Sequence, residues 1–346
     1  MNIGLLTSVG STLDAFFPEI VQAWEENGSQ VGTAASTTSP IGDFTLLRSV
    51  TRRPGLKNMG APAEIKRWLK RTGADVLVTN TATASAMARV QRMPVPVVYF
   101  CHGLHWNKGT SPADKLWRTV EAALTPSTAG VIVLNGDDEE WFRTRLPPHR
   151  ILRLELGVGV PLASYPRTAA MNGKQMRLLW AGEFSKRKQP LQAIEVMKHL
   201  RDAGSDVVLT MLGEGALRDV TIAKVQAAGL SDVISVPGRL DFAPHMIRND
   251  AILHTAKWEG LPRVLLEGFA MGRRSYAYDV KGVRDIPEVT LAADADTRGL
   301  ADLIRRDILS GRIRQPTKQV DGLETFEAAR RIYEFLQRVL ATPVMR

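Results

Sequence analysis

Residues Asp250–Asp285 read DAILHTAKWEGLPRVLLEGFAMGRRSYAYDVKGVRD. The apolar run Ala251–Thr255 has the length of a buried strand, and a polar loop carrying Glu259 and Gly260 follows it. Pro262 then opens a helix over Arg263–Met271, Gly272 stands where that helix must stop, and Ser275–Tyr278 is a strand again. Proline suits the first helical turn, where its missing N–H would be unpaired, and glycine suits the position just past the last turn. Strand, loop, helix and strand in this order make one crossover between parallel strands. Glu259 and Gly260 therefore lie before a helix N-terminus, and Glu267 lies within the helix. The amides near Gly260 and Leu261 form an anion site there, with one carboxylate on either side. Such carboxylates can grip sugar hydroxyls beside a phosphate.

The same alternation extends in both directions. Upstream, Met176–Ala181, Val207–Leu212 and Val233–Val236 read as strands, with helices at Leu191–Ala203 and Leu217–Ala228. Nearer the N-terminus, strands are predicted at Ile3–Thr7, Val31–Ala34, Val76–Thr79, Val95–Phe100 and Gly130–Leu134, with helices at Ala15–Asn27 and Ala63–Thr72. The rhythm breaks at Leu156–Pro166 and at the polar, Gly173-containing stretch Thr168–Gln175, which reads as a linker. This predicts an α/β chain of two doubly wound domains, 1–165 and 166–322, with ligands at the carboxyl ends of the strands and a cleft between the domains as the site. Residues 323–346 carry a last helix, Leu323–Leu340. Its stripe of Phe326, Ala329, Ile332, Tyr333, Leu336 and Leu340 is for packing, and it is expected to lie back across the junction.

The 346 residues are 44% apolar and 23% charged, a globular composition that excludes a disordered tail, a collagen and a coiled coil. Lys+Arg 45 against Asp+Glu 36 leaves +9, which favours anionic partners. Cys101 is the single cysteine, so an intrachain disulfide and a thiolate zinc cage are both excluded. No apolar run approaches the roughly 18–20 residues of a membrane span. The N-terminal MNIGLLTSVGS lacks a basic region and a cleavage site, so a cytoplasmic protein is expected, peripheral at the inner face of the cell membrane. Arg48–Arg71 holds Arg48, Arg52, Arg53, Lys57, Lys66, Arg67, Lys70 and Arg71 against Glu64 alone, with Trp68 and Leu69 among them. That run reads either as a dock for anionic lipid head groups or a grip on a lipid diphosphate, or as a basic solvated helix. Nucleic acid is not an expected partner, since no recognised binding module accompanies the charge.

Glu259-Gly-Leu-Pro, Glu267 eight positions on, then Gly272, Asp279, Gly282 and Asp285 resemble the E-x7-E signature of family 4 retaining glycosyltransferases of the GT-B fold. The likeness continues in Trp180–Pro190 (WAGEFSKRKQP), a diphosphate-binding turn, in Leu212–Gly215 (LGEG), and in Gly157 with Val158–Val160 at the junction. In the first domain Arg52–Asn58, Tyr99–Lys108 (YFCHGLHWNK) and Glu121–Asp138 resemble the subgroup that builds capsular and exopolysaccharides. The resemblance implies two Rossmann-like domains facing a central cleft. It also implies transfer of a hexosyl or N-acetylhexosaminyl unit from a nucleotide-diphosphate sugar, UDP-linked rather than GDP-linked, with retention. The implied acceptor is a glycan, soluble or polyprenyl-diphosphate-linked. Neither a cofactor nor a metal is implied. No carboxylate in these motifs is an obvious nucleophile, so front-face displacement is the expected route.

The same resemblance implies residue roles. Glu267 would hold the ribose hydroxyls and Glu259 those of the donor sugar, while Gly260, Leu261 and Pro262 would meet the diphosphate. Lys188 would neutralise the leaving diphosphate, with Gly182, Gly213 and Arg187 beside it. His102, after the fourth strand of the first domain, would face the donor sugar. His105, three residues on, makes with it only a weak metal pair. Gly10, in the first strand–helix turn, lets the backbone approach a ligand or serves a tight turn alone. Glu183 stands where many members have arginine. An acid there would repel a diphosphate, so it is expected to point away, with Arg187, Lys186 or Arg263 supplying the second positive charge. Asp137 and Asp138 read as a helix cap with solvated acids rather than a metal motif. The competing readings are a nucleotide-sugar 2-epimerase or phosphorylase, or a non-catalytic nucleotide-sugar-binding protein, on the same fold.

Overall fold

A computed structural model describes residues 1–53, 55–104, 106, 111–169 and 173–342. The chain divides into two compact units, one of residues 1–159 with 324–346 and the other of residues 160–323.

The first unit is built on seven strands: β1 Asn2–Leu6, β2 Gln30–Ala35, β3 Asp43–Leu46, β4 Val76–Thr79, β5 Val97–Cys101, β6 Gly130–Val133 and β7 Ile151–Arg153. They lie in the order β3-β2-β1-β4-β5-β6-β7 and every pairing is parallel. The central strands are near-continuous apolar runs because helices cover both faces, as parallel sheets require. The helices are α1 Gly10–Phe16, α2 Pro18–Glu26, α3 Ala61–Thr72, α4 Ala82–Arg89, α5 Pro112–Leu124 and α6 Gly136–Arg143. The single helix predicted over Ala15–Asn27 is two helices, α1 and α2. Pro18 has no N–H to give to the preceding turn and its ring would strike the carbonyl four residues back, so it starts a helix of its own.

The second unit carries six parallel strands: β8 Met176–Ala181, β9 Val207–Leu212, β10 Ile234–Gly238, β11 Ala251–His254, β12 Arg274–Tyr278 and β13 Val289–Ala292, in the order β10-β9-β8-β11-β12-β13. Its helices are α7 Pro190–Asp202, α8 Arg218–Ala227, α9 Phe242–Ile247, α10 Arg263–Ala270 and α11 Thr297–Leu309. The last helix, α12 Thr325–Ala341, belongs to the first unit, where the Trp24 indole N–H donates to the Ala329 carbonyl at 3.0 Å. Both sheets follow the doubly wound strand order that reverses beside the first strand. Loops leaving the carboxyl ends of the two strands at that reversal flank a crevice where ligands bind in such sheets. In the first unit these loops follow β1 and β4, and in the second they follow β8 and β11. No helix among the described residues is long and apolar enough to cross a membrane.

Candidate active site

In the second unit, the loop after β8 carries Gly182–Gln189 and the loop after β11 carries Thr255–Pro262. Thr255 ties them together: its hydroxyl faces the carbonyls of Lys188 and Gln189 at 3.1 and 3.0 Å, and it accepts the Trp180 indole N–H at 3.0 Å. The Lys257 amide donates to the Arg187 carbonyl at 2.8 Å. These bonds aim two cations at one carboxylate. Lys188 Nζ lies 2.5 Å from Glu259 Oε1, and the Arg187 guanidinium bonds Oε2. His254 Nε2 is 3.4 Å from Oε1, and the Glu259 amide donates to the Lys281 carbonyl at 3.0 Å. Trp258 lies under the Arg187 guanidinium, 5.4 Å from the ring centroid.

Glu259 is 5% exposed. Burial alone would raise its pKa, but Lys188, His254 and Arg187 overcome it and hold the carboxyl well below the usual carboxylate range. Burial also lowers the pKa of His254, which keeps that ring neutral near pH 7 even though its bond to Glu259 acts the other way. The Arg187–Lys188–Glu259 trio therefore carries one surplus positive charge.

Glu267 lies on α10. Its Oε1 accepts the Tyr165 hydroxyl at 2.9 Å and pairs with Arg263 Nε, one turn before it, at 2.9 Å. Here burial wins, and the pKa is raised despite Arg263 and Tyr165. Pro262, expected in the first turn, instead caps α10. It holds an extended conformation and its carbonyl accepts the Leu265 amide at 3.0 Å. Gly272 follows the helix end with φ +80°, as the spacing predicts.

The other predicted positions in this unit fall around the same loops. Gly182 lies against the Lys188 stem. Gly213 has φ +135° and packs on the Gly182 carbonyl so closely that any side chain would collide with it, so packing alone requires this glycine. Gly260 is buried and Leu261 half-buried beside Glu259. Lys186 and Glu183 are exposed, whereas Arg187 and Lys188 turn to Glu259.

In the first unit His102 follows β5. Its ring stacks on Phe100, with centroids 4.5 Å apart, and meets Phe16 at 5.0 Å. Nε2 lies 3.0 Å from Asn80 Oδ1. Burial pushes the imidazole pKa down to about 4. The neutral ring donates from Nε2, because Asn80 Oδ1 can only accept, which leaves Nδ1 with a lone pair to offer. Asn80 itself leaves the end of β4, beside the strand-order reversal. Gly10 donates its amide to the Thr37 hydroxyl at 2.8 Å and packs on the carbonyls of Thr37 and Thr38, so the structure gives it a packing role. Asp137 is an exposed acid in the first turn of α6, as read, but the reading of Asp138 needs correction. Asn135 is the cap of α6, and Asp138 is buried, accepting the Leu104 amide at 3.1 Å and thereby bracing the loop that carries His102. His105 lies outside the described residues. Among the described residues no three His, Cys, Asp or Glu side chains gather as metal ligands do.

Sequence reasoning missed His254, Tyr165 and Asn80. His254 carried a weak signal, a polar residue ending an apolar strand five positions before Glu259. Tyr165, 102 residues from Glu267, carried none.

This geometry is that of two doubly wound α/β units, the second with cations gathered on a buried carboxylate at its strand-order reversal, and comparison with known proteins gives the class. The second unit matches the family described as glycosyl transferases group 1 over residues 165–293, and the first matches the glycosyl transferase 4-like domain over residues 16–157. The chain belongs to the group 1, or family 4, glycosyltransferases and has their GT-B fold. It is 26% identical over 237 residues to a 2-deoxystreptamine glucosyltransferase of Streptomyces kanamyceticus, which covers 66% of this chain and 59% of the relative. The chain thus spans about three fifths of the length of that relative. Among solved structures, sucrose-phosphate synthase from Thermosynechococcus elongatus superposes with a TM-score of 0.73 at 17% identity, over 99% of this chain and 96% of the other. Anabaena HepE in complex with UDP superposes with a TM-score of 0.72 at 15% identity, over 99% and 97%.

Proposed function

We propose that this chain moves a hexosyl or N-acetylhexosaminyl unit, with retention, from a UDP-linked donor held by the second unit to a glycan acceptor held by the first. The proposal includes a place in surface-polysaccharide assembly, at a membrane face, with no resident metal. The observation that carries it is the convergence of Arg187 and Lys188 on Glu259 at the strand-order reversal, with Glu267 buried on the following helix. The surplus positive charge of the trio suits a diphosphate. Lys188 is fixed where negative charge develops as the bond from the sugar's anomeric carbon to the phosphate oxygen breaks. The acceptor oxygen bonds to the same face of that carbon, and its proton passes to the departing phosphate oxygen. Glu259, held ionised, accepts hydroxyls of the donor sugar. Glu267 takes the ribose hydroxyls, and His102 Nδ1 takes a further hydroxyl of the sugar. A bound UDP in Anabaena HepE supports the choice of nucleotide.

The experiment combines thermal shift with product analysis. UDP should raise the melting temperature more than GDP or ADP, since binding to the native state stabilises it. UDP-sugars should release UDP, slowly with water and faster with an acceptor. An isomerised sugar nucleotide in place of free UDP would make it an epimerase. The absence of both UDP binding and UDP release would sink the proposal.

A further inference from the structure

His254 is the last residue of β11, and it is 2% exposed. The sheet fixes its place: Ala251 and Ile252 pair with β8, and His254 itself pairs with Ala277 of β12. The rest of the strand, Ala251, Ile252 and Leu253, is apolar and buried, so an imidazole stands where packing alone would set another aliphatic side chain. A buried polar ring is costly unless it is hydrogen-bonded. Yet Nε2 makes no well-formed hydrogen bond with any described residue. It faces Glu259 Oε1 at 3.4 Å, a loose contact.

The carboxylate opposite is already taken. Lys188 Nζ lies 2.5 Å from the same Oε1, and Arg187 holds Oε2. A diphosphate set against these two cations competes with Glu259 for both. Glu259 is 5% exposed, so water cannot replace them. A buried carboxylate whose cations are drawn off is left uncompensated unless another donor meets it. His254 is in place to be that donor. Carboxylate oxygens only accept, so the neutral ring meets Oε1 with its proton on Nε2. Its backbone lies in the sheet, which makes the ring a fixed point while the loop after β8 turns to the phosphate.

We infer that His254 is a positioning residue for the transfer: as the diphosphate draws Arg187 and Lys188 to itself, the His254 Nε2–H closes on Glu259 Oε1 and holds that carboxylate towards the sugar hydroxyls. The inference rests on the reading of the second unit as the donor side, with Glu259 as the group that meets the sugar. It gives the ring no contact with the substrate.

The test compares the parent with His254→Leu, which keeps most of the bulk and removes both nitrogens, and with His254→Gln, whose side-chain amide restores a donor. Turnover is read as UDP released from UDP-glucose or UDP-N-acetylglucosamine, whichever the parent uses faster. His254→Leu should lower kcat about 10–100-fold, the range of a hydrogen bond to a charged group. UDP affinity should stay within about twofold, because Arg187, Lys188 and Glu267 all remain to hold the nucleotide. His254→Gln should recover most of the lost kcat. Ring NMR on the histidine-labelled parent gives a readout free of turnover and of folding defects in a variant. The His254 Nε2–H signal, assigned by its absence from His254→Gln, should move downfield when UDP binds, as the loose contact becomes a bond. If UDP binds and that signal stays in place, or if His254→Leu turns over like the parent, the inference falls and the donor reading stands. Equal losses of kcat in His254→Leu and His254→Gln would also overturn it and leave the ring a packing role. A parent that binds no UDP would overturn the donor reading and this inference with it.

Discussion

Glu259 and Glu267 are the same residue type, eight positions apart and both buried, yet their surroundings push them in opposite directions. Around Glu259 two cations from the loop after β8 outweigh burial and hold the carboxyl ionised. Around Glu267 burial outweighs Arg263 and Tyr165, and the pKa rises. The spacing of a motif thus says where two carboxylates sit, while a segment about seventy residues away sets the charge of Glu259 and burial sets the shift of Glu267. A carboxylate clamped between cations suits a place beside a diphosphate. One whose burial outweighs its polar partners suits neutral hydroxyls.

The largest effect should come from removing the charge that distinguishes the two sites. Lys188→Ala should lower kcat about 10²–10³-fold, the usual loss when a fixed charge aimed at a developing anion is removed. Lys186→Ala, at the exposed neighbour, should change kcat less than twofold. Equal losses in the two would mean that the run acts only as a diffuse basic surface.

Next comes Glu259→Gln. It should lower turnover roughly 10–100-fold, the range of a charge-assisted hydrogen bond, with UDP affinity held or improved because the two cations lose their competitor. It should also leave Lys188 and Arg187 facing each other unpaired. The second unit should lose about 2 kcal/mol, less than for a fully buried pair because Arg187 is partly exposed. The pH sign follows from the lowered pKa. Stability from Glu259 is fully present above the ordinary glutamate value and is lost as pH falls through and below it. Chemical denaturation at neutral and acidic pH checks this, since the difference between parent and variant should shrink in acid.

Glu267→Gln should do the reverse. UDP affinity should fall about tenfold while kcat at saturating donor changes little. Because the folded pKa is raised, ionising Glu267 costs stability as pH climbs past the ordinary glutamate value. The variant should therefore be no less stable than the parent at neutral pH. In the parent, UDP affinity should drop in mild acid, at a pH above the ordinary glutamate value, as Glu267 protonates, and Glu267→Gln should flatten that dependence. A drop that persists in the variant would place the titrating group elsewhere.

Much of this was legible in the sequence. The strands around Glu259 are apolar runs between strong breakers, and β4, β8 and β9 lie at their predicted bounds. Strands β3, β7 and β13 were not read. They are three or four residues long and all three end their sheets, so they carry no long continuous apolar run. Helix α11 escaped because its capping Asp296 lies in the stretch Asp294-Ala295-Asp296, which reads as loop. In the site, the basic run Lys186–Lys188 was visible as charge. Which two members face Glu259 depends on Thr255 pinning the Lys188 and Gln189 carbonyls and on the Lys257 amide pinning that of Arg187, tertiary bonds between loops that spacing cannot encode. Tyr165 and Asn80 are brought in by the fold alone.

The smallest expected effect tests the first unit, where a neutral histidine takes the place of a clamped carboxylate. His102 has a pKa of about 4 against an ordinary 6.5, set by burial among Phe16, Phe17 and Phe100. Between those values the unfolded chain binds the extra proton, so this residue adds stability as pH rises from 4 to 6.5 and adds no further change above that. Asn80→Asp would set a carboxylate about 3.0 Å from Nε2. An opposite charge at that distance raises a histidine pKa by roughly one to three units, which brings protonation towards neutral pH. Ring NMR titration should show the rise, and kcat should fall only about two- to threefold at neutral pH, with a new loss on the acid side as Nδ1 gains a proton and ceases to accept. His102→Gln should lack that acid step. If Asn80→Asp leaves the ring titrating near 4, aromatic burial alone controls its charge and the bond to Asn80 serves only to orient it.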